Sequence, residues 1–171
     1  PFKNILNDMY AKDLSRKVKI AKRQRAMNGF FISSQAPYGY KKDPNNHNKL
    51  IIDYEAAHVV KYIFDMALQK MGTASICNRL MKEGIRTPGE YKALNGDTRF
   101  NRFLRQIEGK EKGVWRTVTV NKILKDIVYI GDMENRKYEV ENYKTKKRVR
   151  VLIEEHIIVK THIKLLLQEM I

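Results

Sequence analysis

The residues best suited to do chemistry lie between Trp115 and Gly131. Arg116, Thr117, Thr119, Asn121, Lys122 and Lys125 bring a guanidinium, two hydroxyls, a carboxamide and two ammonium groups into one short stretch. Their chemistry is non-covalent: charged donors for anions, and forked donors and acceptors that suit planar polar edges. Thr119 reads as a helix N-cap, because its hydroxyl can accept a hydrogen bond from a free first-turn N–H. Val120, Ile123, Leu124 and Ile127 recur at helical spacing as one apolar stripe, and Asn121, Lys122 and Lys125 fall off it. The spacing predicts a short helix with a buried side and a cationic side. Arg116, Thr117 and Thr119 crowd its N-terminus, where free N–H groups favour a phosphate. A DNA recognition helix has this pattern, and so does an ordinary capped surface helix.

Covalent or metal chemistry is not written in the chain. His47, His58, His156 and His162 do not cluster at ligand spacing. The single cysteine, Cys77, excludes an internal disulfide framework and a Cys-rich zinc site. It lies on an apolar helix face and reads as a buried structural thiol. No carboxylate pair or histidine-base arrangement shows itself, so no catalytic residue, metal ligand or cofactor is assigned.

Lys and Arg number 34 against 19 acids, a net charge of +15 in 171 residues. That length suits one ordinary domain or two small ones, and 43% apolar residues allow a core. Such a cationic excess calls for a polyanionic partner, with nucleic acid the first candidate and an anionic membrane surface the second. No run approaches the roughly 18 apolar residues that span a bilayer, and the start does not read as a secretory signal. Pro1 and the hydrophobic ending at Ile171 suggest a piece of a longer protein. The charge is uneven: residues 1–50 carry a net +8, 51–109 a net +2, 110–150 a net +6 and 151–171 a net −1. The nearly neutral middle is the expected core, and the two basic blocks are the expected contact surfaces.

The elements that must position these residues follow in order. Phe2 to Asn28 reads as one long helix, with Gly29 at its C-cap. Its front half carries Ile5, Leu6, Met9, Tyr10 and Leu14 at helical spacing. Its back half holds Arg16, Lys17, Lys19, Lys22, Arg23 and Arg25 with no acid. Like charges at i,i+3 and i,i+4 weaken a helix unless an anion lies along it, although cations near a C-terminus are tolerated. Residues 30–37 read as a linker. Tyr38 to Lys42 and Lys49 to Asp53 read as a hairpin, whose tyrosines pack within it or stack on sugars or bases. Asp53 is expected to cap a core helix from Tyr54 to about Gln69, with Ala56, Ala57, Val60, Ile63, Phe64, Ala67 and Leu68 inward. Thr73 is expected to cap a helix from Ala74 to about Glu83, with Ile76, Cys77, Leu80 and Met81 inward. Two helices joined at Gly72 make a helical hairpin. In residues 89–113 the spacing of Phe100, Phe103, Leu104 and Ile107 allows one short helix. Trp115 is expected to plug the core. Asp132 to Val140 and Lys146 to Ile153 read as two strands joined by a turn. Lys146, Lys147 and Arg148 suit a phosphate strand there, or guard an exposed edge. Val159 to Ile171 reads as the start of a helix.

Several of these runs, in this order, resemble one family. They are the basic helix around Ser15-Arg16-Lys17, Pro37-Tyr38-Gly39-Tyr40, Lys49-Leu50-Ile51-Ile52-Asp53, Ala56-Ala57 and Val59-Val60 with Ile63-Phe64, Ile85-Arg86-Thr87-Pro88, and Ile123-Leu124 with Tyr129-Ile130-Gly131. Together they look like the recombinase domain of large serine recombinases, the serine integrases and transposon recombinases of phages and conjugative elements. The resemblance implies that Phe2 to Asn28 ends the long helix following a catalytic domain, pairing subunits with its apolar front and running onto DNA with its basic back. It implies a linker along the DNA backbone or minor groove, and a helix-turn-helix formed by Thr73 to Glu83 and Thr119 to Lys125. The family's catalytic serine belongs to an N-terminal domain outside these residues, so Ser15, Ser33, Ser34 and Ser75 are not candidates. A zinc ribbon, which commonly follows, is not expected with one cysteine.

The expected fold is mainly α with small β-hairpins: a helix-turn-helix DNA-binding domain preceded by a long basic helix. The expected division is residues 1–29 as linker helix, 30–37 as linker, 38–157 as the helix-turn-helix domain and 158–171 as the start of a further helix. The expected function is to recognise attachment-site or transposon-end DNA for a site-specific recombinase. Double-stranded DNA and further copies of the protein are the partners, the cytoplasm is the location, and no cofactor or membrane is involved. The DNA contacts are assigned to Arg16, Lys17, Lys19, Lys22, Arg23, Arg116, Thr117, Thr119, Asn121, Lys122, Lys125, Lys146, Lys147 and Arg148. A helix-turn-helix transcriptional regulator is the alternative, and a module binding acidic membrane or protein the third.

Overall fold

Among the described residues, a long N-terminal helix is followed by a β-hairpin, a run of shorter helices and a set of short strands. The computed structural model describes residues 2–104 and 113–160. The fold is mainly helical with small antiparallel strand pairs.

The first helix, α1 (Phe2–Met27), runs as expected and ends at Gly29. There a positive φ of 73° lets the amides of Gly29 and Phe30 fold back on the carbonyls of Ala26 and Arg25. β1 (Tyr40–Lys42) and β2 (Leu50–Ile52) form the expected hairpin, β1 starting two residues later than expected and β2 one residue shorter at each end. α2 (Tyr54–Leu68) and α3 (Thr73–Lys82) follow.

Two caps differ from expectation. Asp53 stands at the N-cap of α2 but gives it no side-chain hydrogen bond, because its carboxylate is taken by the Tyr91 hydroxyl at 3.0 and 3.1 Å. Gly72, not Thr73, caps α3, so that helix starts one residue early. The inward face of α2 is also rotated slightly from the predicted one. Met66 is buried, while Leu68, at the last turn, is exposed.

Residues 87–104 hold more order than their composition suggested. Thr87-Pro88-Gly89-Glu90 forms a reciprocal capping box with proline in the first turn, and opens α4 (Pro88–Leu94). A single 3₁₀ turn follows at Thr98–Phe100, and residues 102–104 are helical. The expected short helix thus begins near Phe103 and Leu104, while Ile107 lies outside the described residues. Next comes α5 (Thr117–Lys125), then a 3₁₀ turn at Ile127–Ile130.

The two long strands expected after Gly131 are three short ones, and a fourth strand lies beyond them. β3 (Asp132–Asn135), β4 (Tyr138–Val140), β5 (Arg148–Arg150) and β6 (Ile157–Lys160) are separated by Arg136, at a φ of 63°, and by a 3₁₀ turn at Ile153–Glu155. A left-handed residue breaks the pleat, so the chain changes partner there. β4 pairs with β5, Tyr138 facing Arg150 and Val140 facing Arg148. β3 pairs with β6, Asp132 facing Lys160 and Asn135 facing Ile157. Val159 and Lys160 are therefore strand, not helix; the remainder of the helix expected to Ile171 lies outside the described residues.

Contacts divide the chain into two compact units. Of the described residues, the first holds α1 with the tip of the β1–β2 hairpin, and residues 127–160. Its buried side chains include Ala26, Phe31, Val128, Tyr129 and Met133, with β6 packed against α1. The second unit holds the base of the hairpin and α2 to α5. Its core is Ala57, Val60, Ile63, Ile76, Leu80 and Val120, fully buried or nearly so, joined by Trp115. Cys77 is buried there, as expected, and burial pushes its thiol pKa up.

Candidate nucleic-acid interface

In the second unit the interior side of α5 is made by Val120 and Ile123, which are buried, with Leu124 half-buried beside them. α5 packs on both α2 and α3. The helix opens at Thr117 with Arg116 at the N-cap, so Thr119 is an interior residue of the first turn rather than the cap. Its amide bonds the Arg116 carbonyl at 2.9 Å. A guanidinium has no acceptor, so the cap residue satisfies none of the first-turn amides through its side chain. Entry from extended backbone at Arg116 sets the start, which no side-chain pattern encodes.

Trp115 holds that entry point. Its indole is 2% exposed, and Nε1–H donates to the carbonyl of Ile85 at 2.8 Å, just past the end of α3. Tyr38 meets its ring edge-on at 6.4 Å and meets Tyr91 edge-on at 5.8 Å. Burial, and then the hydrogen bond to Asp53, push the Tyr91 hydroxyl up to about 12, so it is a neutral donor and not a base. Tyr38 and Tyr40 are both buried, which leaves neither ring available for stacking on a base.

A second clasp lies two residues before Trp115. The buried carboxylate of Glu90 accepts from Thr87 N at 2.8 Å, Thr87 Oγ1 at 2.8 Å and Gly113 N at 2.7 Å. A Cβ at position 113 would stand 2.1 Å from that carboxylate, so any other residue there would push the Glu90 side chain out of this clasp. Sequence reading passed over Glu90, although threonine, proline and glutamate at this spacing spell the capping box.

The outer side of α5 carries Arg116, Thr117, Asn121, Lys122 and Lys125, all exposed, with Thr119 half-buried at its margin. No hydrogen bond or ion pair ties the Arg116, Asn121, Lys122 or Lys125 side chain to another described residue. The predicted residues of this stretch therefore share one helix face and its N-terminal edge.

The first unit holds the other predicted residues. Arg16, Lys17, Lys22 and Arg23 are exposed along α1. Lys17 pairs with Asp13 at 2.8 Å in a solvated i,i+4 bridge. Lys19 is spent within the unit: Nζ donates to the Val140 carbonyl at 2.6 Å and lies 3.6 Å from Glu139. Lys146, Lys147 and Arg148 are exposed in the β4–β5 hairpin, with Lys147 3.7 Å from Glu141. The hairpin turn reaches α1 again at Asp8, which accepts from the Tyr143 hydroxyl at 2.6 Å and pairs with Lys144 at 2.9 Å. Those two contacts hold the Asp8 pKa below its ordinary value.

Among the described residues no group of three or more histidine, cysteine or acidic side chains could hold a metal ion, and no helix is long and apolar enough to cross a membrane. The surface offers cationic and amide donors on rigid supports, which is the equipment of an anion-binding face.

Compared with known proteins, the chain matches no curated protein and no solved structure. A family model described as Recombinase matches residues 54–170, from the start of α2 through the anchored helix α5 and the strands beyond it. The match covers most of the chain, and the protein is a member of the Recombinase family.

Proposed function

We propose that this chain is the DNA-binding part of a site-specific serine recombinase, which recognises attachment-site or transposon-end DNA and positions a catalytic domain for strand exchange. One observation carries the reading. α5 buries Val120 and Ile123 against α2 and α3, while Arg116, Asn121, Lys122 and Lys125 are exposed on its outer face with no partner among the described residues. In this reading α3 and α5 are the two helices of a helix-turn-helix, with residues 83–116 inserted between them, and α5 lies in the major groove. Asn121 reads adenine, and Arg116 or Lys122 reads guanine. Arg16, Lys17, Lys22 and Arg23 on α1, with Lys146, Lys147 and Arg148, contact phosphates and set register.

The division into a linker helix (1–29), a linker (30–37), a DNA-binding domain (38–157) and the start of a further helix (158–171) belongs to the same proposal. So do a cytoplasmic location and a catalytic serine carried by a domain before α1. Phe2, Ile5, Leu6, Met9, Tyr10 and Leu14 are exposed on α1 and supply a face for pairing subunits in the whole protein. This chain supplies affinity and site choice and carries no reacting group or cofactor.

The test is a titration of the chain against random-sequence duplex DNA and, separately, against anionic phospholipid vesicles. Duplex binding that weakens steeply with salt, together with weak vesicle binding, is the expected result. Vesicle binding without duplex binding would sink the proposal.

A further inference from the structure

The outer face of α5 contains one apolar residue among its hydrogen-bond donors. Val118 is 75% exposed. With Asn121, Lys122 and Lys125 it occupies positions i, i+3, i+4 and i+7, so these four side chains share one stripe opposite Val120 and Ile123. Every other member of that stripe is a hydrogen-bond donor. A β-branched residue is a weaker helix former than alanine, and an isopropyl group in solvent gains nothing from burial. Neither helix propensity nor core packing accounts for valine at this point.

We infer that Val118 reads DNA directly, packing its isopropyl group against the 5-methyl group of a thymine in the major groove. The inference rests on the proposed placement of α5 in that groove. Thymine is the base that presents a methyl group on its major-groove edge, and its partner adenine presents the N6 and N7 pair that a carboxamide recognises. Val118 sits in the first turn, one helical turn before Asn121 and Lys122, and the N-terminal residues of a recognition helix are those that reach base edges. The stripe therefore combines an apolar contact, a carboxamide and two ammonium groups, and it selects a site in which an A·T pair adjoins the base read by Lys122. A single isopropyl group ringed by cations suits one methyl among acceptors, and it is too small and too polar in its surroundings to seat a protein or a membrane.

The experiment selects binding sites for the 171-residue chain from a random duplex library, then replaces each thymine of the recovered motif by deoxyuridine in turn. Deoxyuridine differs from thymine at this edge only by the missing methyl group. Wild type should lose about fourfold in affinity at one position, the order expected for one buried methyl. Val118→Ala should show less than about twofold loss at that position, and Val118→Thr, which keeps a methyl, should fall between. Alanine favours the helix and the site is exposed, so the variants fold. Equal methyl dependence in wild type and Val118→Ala, or none at any thymine, overturns the role of Val118 and leaves the DNA-binding reading standing. Failure to recover any motif overturns both.

Discussion

α1 and α5 carry comparable chemistry on very different supports. α1 buries one residue, Ala26, along its whole length, and its cations stand on a surface that the rest of the chain touches mainly through β6 and the β4–β5 hairpin. α5 is nine residues long, yet it is packed on two helices and held at its start by a buried tryptophan. Under the proposed function, the difference separates strength from discrimination. Phosphate attraction is long-ranged and tolerates an ångström of play, so charged groups on a lightly packed helix suffice. Reading base edges depends on hydrogen-bond geometry, so the reading side chains need a helix that cannot shift.

The largest break in this comparison comes from Trp115→Ala. Removing the indole empties the support under α5 and orphans the Ile85 carbonyl, and it should cost about 3–5 kcal/mol in chemical denaturation. A loss under about 1 kcal/mol would mean α5 is held by something other than its anchor. Next is Asn121→Ala. It should weaken binding to a selected site by about 1–3 kcal/mol and leave random duplex binding unchanged. Equal loss on both would place Asn121 among the phosphate contacts and erase the contrast with α1.

Replacing Arg16, Lys22 and Arg23 together with alanine should do the opposite. All duplexes should be affected alike, and the slope of log affinity against log salt should flatten by roughly 0.9 for each phosphate contact removed. Folding stability should change by less than about 0.5 kcal/mol per site, since all three are exposed and none is paired among the described residues. An unaltered slope would assign that part of α1 to solvent.

The smallest effect is at Asp8. The folded-state pKa is depressed, through the Tyr143 hydroxyl first and Lys144 next. Its contribution is therefore present above the ordinary pKa of 3.8 and fades as pH falls through the lower folded value. NMR titration should find the Asp8 carboxyl ionising below 3.8, with Tyr143 and Lys144 shifting in step. In Asp8→Asn those shifts should vanish while the α5 signals stay still. Movement of α5 with Asp8 would show the two regions to be coupled.

Much of this architecture was legible before any coordinates. The apolar stripes of α2, α3 and α5 were visible because a helix facing a core repeats every three to four residues, whatever the core contains. Gly29 and Gly84 marked helix ends because both adopt positive φ, which glycine reaches without strain. The caps were less legible: Thr73 and Thr119 look like caps by type, but Gly72 and Arg116 hold those positions. Cap identity depends on where the extended backbone turns helical, and neighbouring residues of similar type compete for it. Val118 lies off the apolar stripe of Val120, Ile123, Leu124 and Ile127, and spacing alone assigns it no role.

What the sequence determined by itself was the inventory: a cationic surplus in two blocks, helices with one apolar side each, and an amide-and-ammonium set on the outer side of one of them. Those are properties of local spacing and charge, and they survive any arrangement of the pieces. Tertiary structure alone decided which donors are already engaged and which stand free. Lys19 is committed to Val140, and the Tyr91 hydroxyl to Asp53, whereas among the described residues the Arg116, Asn121 and Lys122 side chains have no acceptor. It also decided that β3 pairs with β6 across an intervening hairpin. Partners distant in sequence meet only when the whole chain has found its packing, and no window of neighbouring residues carries that information.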